Sequence, residues 1–382
     1  MGDNRGIMVT IGFGFNPRGE FEIQKTAAGL PPPPPSGKDW QVPNDGHNDA
    51  AVLALSAVGT AGVGMLLRGL RKEKVFTIKD VALDAAVGLE IGTCLVGTPQ
   101  AESICYGVVG GLPMQVIDRL RDPKWDFRVG LITNGALSLA RSELGGNYVP
   151  LAGYRSNTLG SDLKTTELLA NASADVVQDA AFYALSNTTA ALLQGYKLRA
   201  LPGVALSGAA YGGVQSMLDN VVLGAPLKLT TEMKDKATAI DNASSGPNIG
   251  GMFKFTTFRS GGLLGPLMQG NTITLGRNVA IQQSDISTVT VAHEMVHRTQ
   301  IAGGSAEGRN GTGLLSFYAQ YLTWAPKGYE NIPYEREAYH YSAGAPQAPY
   351  REGKQTGDFV AAPFALSLFA LPAALMPPPV AK

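Results

Sequence analysis

The chain has 382 residues, with 31 basic and 31 acidic side chains and a formal net charge of zero. That balance removes the basic footprint nucleic-acid binding requires, so no nucleic-acid partner is expected. Charged residues make up 16% and hydrophobic residues 45%, which excludes disorder throughout, and the 47 glycines follow no Gly-X-Y period, which excludes collagen.

In chain order, Ile7, Val9, Ile11, Phe13 and Phe15 alternate with smaller residues. Asn16-Pro17-Arg18-Gly19 reads as a turn, and Phe21 and Ile23 return. This predicts a short β-hairpin over 7–25. The opening MGDNRG carries no basic n-region or cleavage site, so a signal peptide is not expected, and Gly6 stands where a myristoylation motif needs Ser or Thr. Pro31–Pro35 is a stiff polyproline spacer. Residues 1–30 are therefore read as an N-terminal β module and 31–48 as a Pro-rich linker. His47, in NDGHND, reads as solvated.

Residues 49–228 form an Ala/Gly-rich region with predicted helices at 50–71, 78–97, 100–121, 128–143, 162–195 and 201–222. Glycines recur four apart at Gly88 and Gly92, Gly107 and Gly111, Gly208 and Gly212, which places each pair on one helix face and permits close helix approach. Asp80-Val-Ala-Leu-Asp-Ala-Ala86 parallels Asp175-Val-Val-Gln-Asp-Ala-Ala181, a hint of duplication, each followed by a Tyr-Gly pair at Tyr106 and Tyr211. Residues 50–67 and 359–376 are uncharged and approach membrane-span length. The first is rich in Ala and Gly and the second holds Pro363 and Pro372, so both read as buried or partner-covered, with membrane contact through 50–67 as the alternative. The basic run RGLRKEK at 68–74 reads as a helix end facing water. Cys94 and Cys105 read as two buried small hydrophobes, with a single disulfide as the rival.

Residues 229–345 are read as a C-terminal domain, and 346–382 as an apolar, Pro-containing tail. Within the domain a polar loop precedes a strand expected at Met252–Phe258, and Asn271–Ile281 reads as a strand pair bent at Gly276. The expected fold class is mainly α, with a small α+β C-terminal domain.

VTVAHEMVHRTQI at 289–301 contains His293-Glu294-Met295-Val296-His297, an HExxH motif. Residues four apart lie one helical turn above each other, so both imidazoles can face one Zn²⁺. Glu294, beside the first ligand, is placed to act as general base on a metal-bound water. Four histidines in the chain make a chance match rare, on the order of two in a thousand. Ser284 or Ser287 can cap the helix, Val289, Ala292 and Val296 can face a core, and Gly303 and Gly304 can end it.

A catalytic zinc needs a third protein ligand. No third histidine follows at the metzincin spacing. Of the acidic candidates, Glu307 and Glu330 sit in loops, while Glu335 and Glu337 open a predicted short helix capped by Asn331 with Pro333 near its start. A helix at Gly313–Trp324 would bring the chain back past the first. HEMVHRTQ, followed by GLLSFYAQYLTWAPKGYENIPYEREAY, resembles the zincin-like metallopeptidases with a glutamate third ligand, over roughly residues 270–343. The resemblance implies Glu335 as that ligand, with Glu337 as the alternative, and a strand ahead of the metal helix that pairs with extended substrate. Tyr339, four residues after Glu335, can donate to an oxyanion or serve as a core aromatic; His340 is a weaker candidate.

The function expected is a zinc metallopeptidase acting on a peptide or protein substrate. The order of modules is similar to that of bacterial polymorphic toxins and effectors, which implies secretion or translocation without a classical signal peptide and a secretion apparatus or immunity partner. The alternative is a structural component of a particle or secretion assembly, with a zinc site that only stabilises.

Overall fold

The structure, a computed structural model, describes residues 9–15, 21–27, 49–70, 77–145, 156–157, 165–244, 246–264, 272–281, 287–303, 311–315, 317–318, 321 and 332–342. Strands β1 (Val9–Phe15) and β2 (Phe21–Ala27) pair antiparallel with Phe15 opposite Phe21, the hairpin expected near the N-terminus. The expected turn, His47 and the tail from 343 onward lie outside the described residues.

Six long helices follow in three antiparallel pairs: α1 (Asp49–Leu70) with α2 (Ile78–Gly92), α3 (Pro99–Arg121) with α4 (Phe127–Gly145), and, after the two-residue strand β3 (Ser156–Asn157), α5 (Thr165–Leu193) with α6 (Leu201–Val222). Each pair closes on one of the predicted glycine faces. A Cβ at Gly88 would lie 2.4 Å from the Ser56 carbonyl oxygen of α1, at Gly107 2.4 Å from that of Asn134 in α4, and at Gly208 2.3 Å from that of Tyr183 in α5. Backbones this close leave no room for a side chain, so small residues define these seams.

Threonines cap α2 and α3: Thr77 accepts from the Asp80 N–H and Thr98 from the Ala101 N–H, each at 3.1 Å. Helix α2 stops at Gly92 rather than running to 97. A 3₁₀ turn, Thr93–Leu95, intervenes so that Thr98 can cap α3 with Pro99 in its first position. Cys94 in that turn is disulfide-bonded to Cys105, which decides for the rival reading of the two cysteines. No described helix is long and apolar enough to cross a membrane; 359–376 lies outside the described residues.

Strand β4 (Gly224–Leu229) leaves α6 and spans the expected boundary at 228. It has no counterpart among the predicted elements, because Pro226 reads as a break. Helix α7 (Thr231–Ala243) is also unpredicted: its apolar stripe is thin, with only Met233, Ala237 and Ile240 at helical spacing. The strand expected at Met252–Phe258 is instead a 3₁₀ helix, Ile249–Phe255, followed by β5 (Thr257–Gly261). Ile249, Met252 and Phe255 are all buried, and their three-residue spacing fits a 3₁₀ helix and not a two-residue strand period. β6 (Ile273–Leu275) and β7 (Asn278–Ala280) form the expected pair around Gly276, whose φ of 54° suits the bend.

The sheet order is β3-β4-β5-β7-β6, mixed, with β6 at one edge. Helix α8 (Thr288–Ala302) and helix α9 (Pro333–Ser342) pack on each other and complete the fold. Their core includes Leu227, Phe258, Val279, Val291, Met295, Ile301 and Tyr334, and it extends to both cysteines. The helical region and the sheet are tied by buried polar links. Arg259 on β5 donates to Asp175 on α5 at 3.0 Å, and Asn171 on α5 donates to the Pro226 carbonyl at 2.8 Å.

Candidate metal centre

Helix α8 holds the HExxH motif because its ends are fixed. Ser287 is the N-cap, its hydroxyl accepting the Thr290 N–H at 3.0 Å, and Gly303, with a φ of 78°, ends it. Ala292 and Val296 face the core as expected, whereas Val289, in the first turn, is half exposed.

Helix α9 faces α8 and brings Glu335 to the histidines. His293 Nε2 lies 3.2 Å from Glu335 Oε2, His297 Nε2 lies 3.3 Å from Glu335 Oε1, and the two Nε2 atoms are 3.2 Å apart. The three side chains are buried. Donor atoms on a tetrahedral ion with bonds near 2.0–2.1 Å stand about 3.3 Å from one another. With one donor atom from each, all within 4.8 Å of one another, His293, His297 and Glu335 could hold a metal ion.

Neighbouring groups orient the ligands. Gln300 Nε2 donates to the Tyr334 carbonyl and to Glu337 Oε2, each at 2.9 Å, so its Oε1 is the atom facing His297 Nδ1 at 2.7 Å. His297 then donates from Nδ1 to Gln300, which leaves Nε2 as the nitrogen that faces the cluster. Glu337, the alternative ligand, is thus bound to Gln300, on a different side of α9 from Glu335, as its two-residue offset requires. Tyr321 donates to Glu335 Oε1 at 2.8 Å. On β6, Thr274 donates to Glu294 Oε2 at 2.6 Å. The Tyr339 ring packs 4.4 Å from that of His293, and His340 packs on Tyr341.

Electrostatics divide the two buried carboxyls. Burial alone would raise Glu335, but His297 and His293 outweigh it and hold the carboxyl well below its usual range. Glu294 is pushed up, because its burial exceeds the opposing pull of the histidines and Thr274. Burial disfavours a charged His297, and the Glu335 carboxylate reverses that and lifts the imidazole to about 9.

One ion pair anchors the motif helix to the helical region. Arg298, fully buried, donates to Glu102 of α3 at 2.7 and 2.6 Å and also reaches Thr256 and the Phe255 carbonyl. The sequence offered no signal for this pair, 196 positions apart, nor for Thr274. Gln300 was legible as the residue three after His297. The sequence-predicted Glu307, Glu330 and Asn331 lie outside the described residues, as does half of the helix expected at Gly313–Trp324.

Comparison of the chain with protein-family models, curated proteins and solved structures returns no match. What the geometry gives by itself is a buried His-His-Glu group able to hold a metal ion.

Proposed function

We propose that the protein is a zinc-dependent metallopeptidase of zincin type. The observation that carries this reading is the triangle of His293, His297 and Glu335 donor atoms with Glu294 beside it. Bound there, zinc would polarise a peptide carbonyl and lower the pKa of its water. Glu294 is the general base. Thr274 fixes one of its oxygens, and its raised affinity for a proton suits a group that takes one and passes it to the leaving amine. Tyr339 donates to the developing oxyanion. Strand β6, at the sheet edge and joined to Glu294 through Thr274, is the element against which an extended peptide or protein substrate would lie. The order of modules fits a secreted or translocated bacterial effector or toxin, with a secretion apparatus or immunity protein as partner.

A second reading is favoured by the burial of the group: the same ligands could hold a zinc ion that only stabilises the fold. Metal analysis and peptide hydrolysis on the whole chain separate the two. Wild type should carry about one zinc, and Glu335→Ala clearly less. Glu294→Gln should keep the zinc and lose hydrolysis by at least ~100-fold. Equal cleavage by that variant sinks the mechanism. Bound zinc with four protein ligands and no hydrolysis supports the stabilising role. Absence of zinc from wild type refolded with the metal ends both readings.

A further inference from the structure

The C-terminal end of α8 is capped from outside. The last carbonyls of a helix have no partner within it. On α8 those of Gln300 and Ile301 accept from the Thr312 and Gly313 N–H groups at 2.8 and 2.9 Å, and the Thr312 hydroxyl adds a second bond to Gln300 at 3.1 Å. Residues 311–313 rest in turn on the short connection between α2 and α3. The Gly311 N–H donates to the Gly97 carbonyl at 2.8 Å. A Cβ at Gly97 would lie 1.7 Å from the Gly311 carbonyl oxygen, and one at Gly313 2.4 Å from the Leu95 carbonyl carbon, so these backbones touch with nothing between them. The contact reaches the metal ligands in one step. Gln300 is the residue that holds His297 Nδ1 at 2.7 Å, and Phe317, just past the capping segment, packs 6.1 Å from the His297 ring.

The Cys94–Cys105 disulfide closes this connection onto α3. Glu102, one turn before Cys105 on α3, holds Arg298. The last turn of α8 therefore has two anchors, Gly97 through residues 311–313 and Glu102 through Arg298, and the disulfide joins the anchors to each other. Both cysteines are buried in the core that includes Met295, Val296 and Ile301 of α8. Two thiols need van der Waals contact where one bond stood, and a close-packed interior has no spare room for it. Cys105 is fixed inside α3, so the connection at 93–97 gives way, and its backbone contact passes the shift to residues 311–313.

We propose that the Cys94–Cys105 disulfide is a redox switch on the metal centre. The oxidised chain keeps Gln300, and with it His297, in place for the metal, and the dithiol form releases them. Reduction breaks the sulfur–sulfur bond with two electrons and two protons and yields two thiols; a phosphine in water supplies both and leaves as the phosphine oxide. Thiols stay reduced in a mesophile cytosol and pair in oxidising compartments, so the switch would favour tight metal binding after the chain leaves a reducing space. The inference rests on the reading of His293, His297 and Glu335 as metal ligands and not on peptide hydrolysis.

The test is zinc competition against a chromophoric chelator. The full chain is refolded with its disulfide intact, or after reduction with tris(2-carboxyethyl)phosphine under argon and removal of the phosphine. Zinc should bind at least ~10-fold more weakly to the dithiol form, the loss seen when the outer partner of a metal ligand is disturbed. Reoxidation with oxidised glutathione should restore the first value. Gly97→Val, which keeps the disulfide but parts the connection from Gly311, should weaken zinc by about the same factor. Leu131→Ala, a truncation in the separate cluster with Val87 and Val108, should leave the affinity within ~2-fold. Equal affinities in the two redox states would overturn the switch. So would a loss in Leu131→Ala as large as in the dithiol form, which would mean that general stability is all that is read. No zinc in either redox state ends the metal reading, and this inference falls with it. The redox comparison uses one chain and is decisive even if the variants fail to fold.

Discussion

The helical region and the region of the His-His-Glu group hold their helices together by different balances of the same forces. Around α8 the contact residues are large and apolar. Val291, Met295, Val296 and Ile301 are fully buried and pack with Phe258 and Tyr334. In the helical region small separate apolar clusters, such as Met114 with Tyr183 and Tyr211 and Val87 with Val108 and Leu131, alternate with buried polar side chains. Gln115 donates to Asn187 at 3.0 Å and accepts from Trp125 at 2.8 Å, and Ser186 donates to Asn134. Large apolar residues there point outward, with Leu120 77% exposed, Leu198 77% and Leu206 71%. Jigsaw packing stabilises the first region by excluding apolar area from water. The second adds to its smaller apolar clusters close backbone approach at glycine seams and buried polar pairs. The apolar core of the first region surrounds the His-His-Glu group.

The contrast can be broken at several points. Phe258→Ala should cost about 3–5 kcal/mol in denaturant unfolding, as a truncated core aromatic does, whereas Leu206→Ala should change stability by less than ~0.5 kcal/mol. Similar costs at both sites would erase the distinction. Arg298→Met should destabilise by about 3–5 kcal/mol, because Glu102 is left charged and buried. Adding Glu102→Met should return most of that loss, and a double variant no better than the single would mean that the pair does not join the two regions.

A smaller effect tests the seams. At Gly212 a Cβ would sit 2.3 Å from the Asp179 carbonyl oxygen, while at Gly213 the nearest atom is 3.9 Å away. Gly212→Leu should therefore cost roughly 1–3 kcal/mol by overpacking, and Gly213→Ala should be neutral or gain up to ~1 kcal/mol of helix propensity. Thermal unfolding of the two variants reads the difference directly.

The last effect is a pH slope. Burial raises Glu90 to about 8, and its Oε2 has no hydrogen-bond partner. A carboxyl whose folded value lies above its unfolded one binds its proton more tightly when folded. It costs nothing below pH ~4.5, and its penalty grows as pH rises towards 8, by up to ~1.4 kcal/mol per unit less whatever solvent screening removes. Glu90→Gln should thus raise the melting temperature more at pH 8 than at pH 5. Parallel gains at both values would show that the carboxyl is ionised throughout.

Local signals made much of this legible. The four-residue spacing of His293 and His297, with Glu294 beside them, requires only a helix to place both rings on one face. Glycines four apart marked all three helix seams, since a missing side chain is a property of the residue itself. The alternation around Gly276 marked the β6–β7 pair. Other features were not local. Pro226 hid β4, because its strand character comes from pairing with β5. The three-residue burial of Ile249, Met252 and Phe255 became readable only once the core they fill was known. The choice of Glu335 over Glu337 needed Gln300, which holds Glu337 away from the histidines.

The sequence by itself determined the ligand types, their helical spacing and the small-residue faces, because these depend on side-chain chemistry and the period of a helix. Only the tertiary structure decided that Glu335 meets both histidines, that Cys94 joins Cys105, and that Arg298 finds Glu102 across 196 positions. Each of these depends on distances between elements set by packing, which no local pattern encodes.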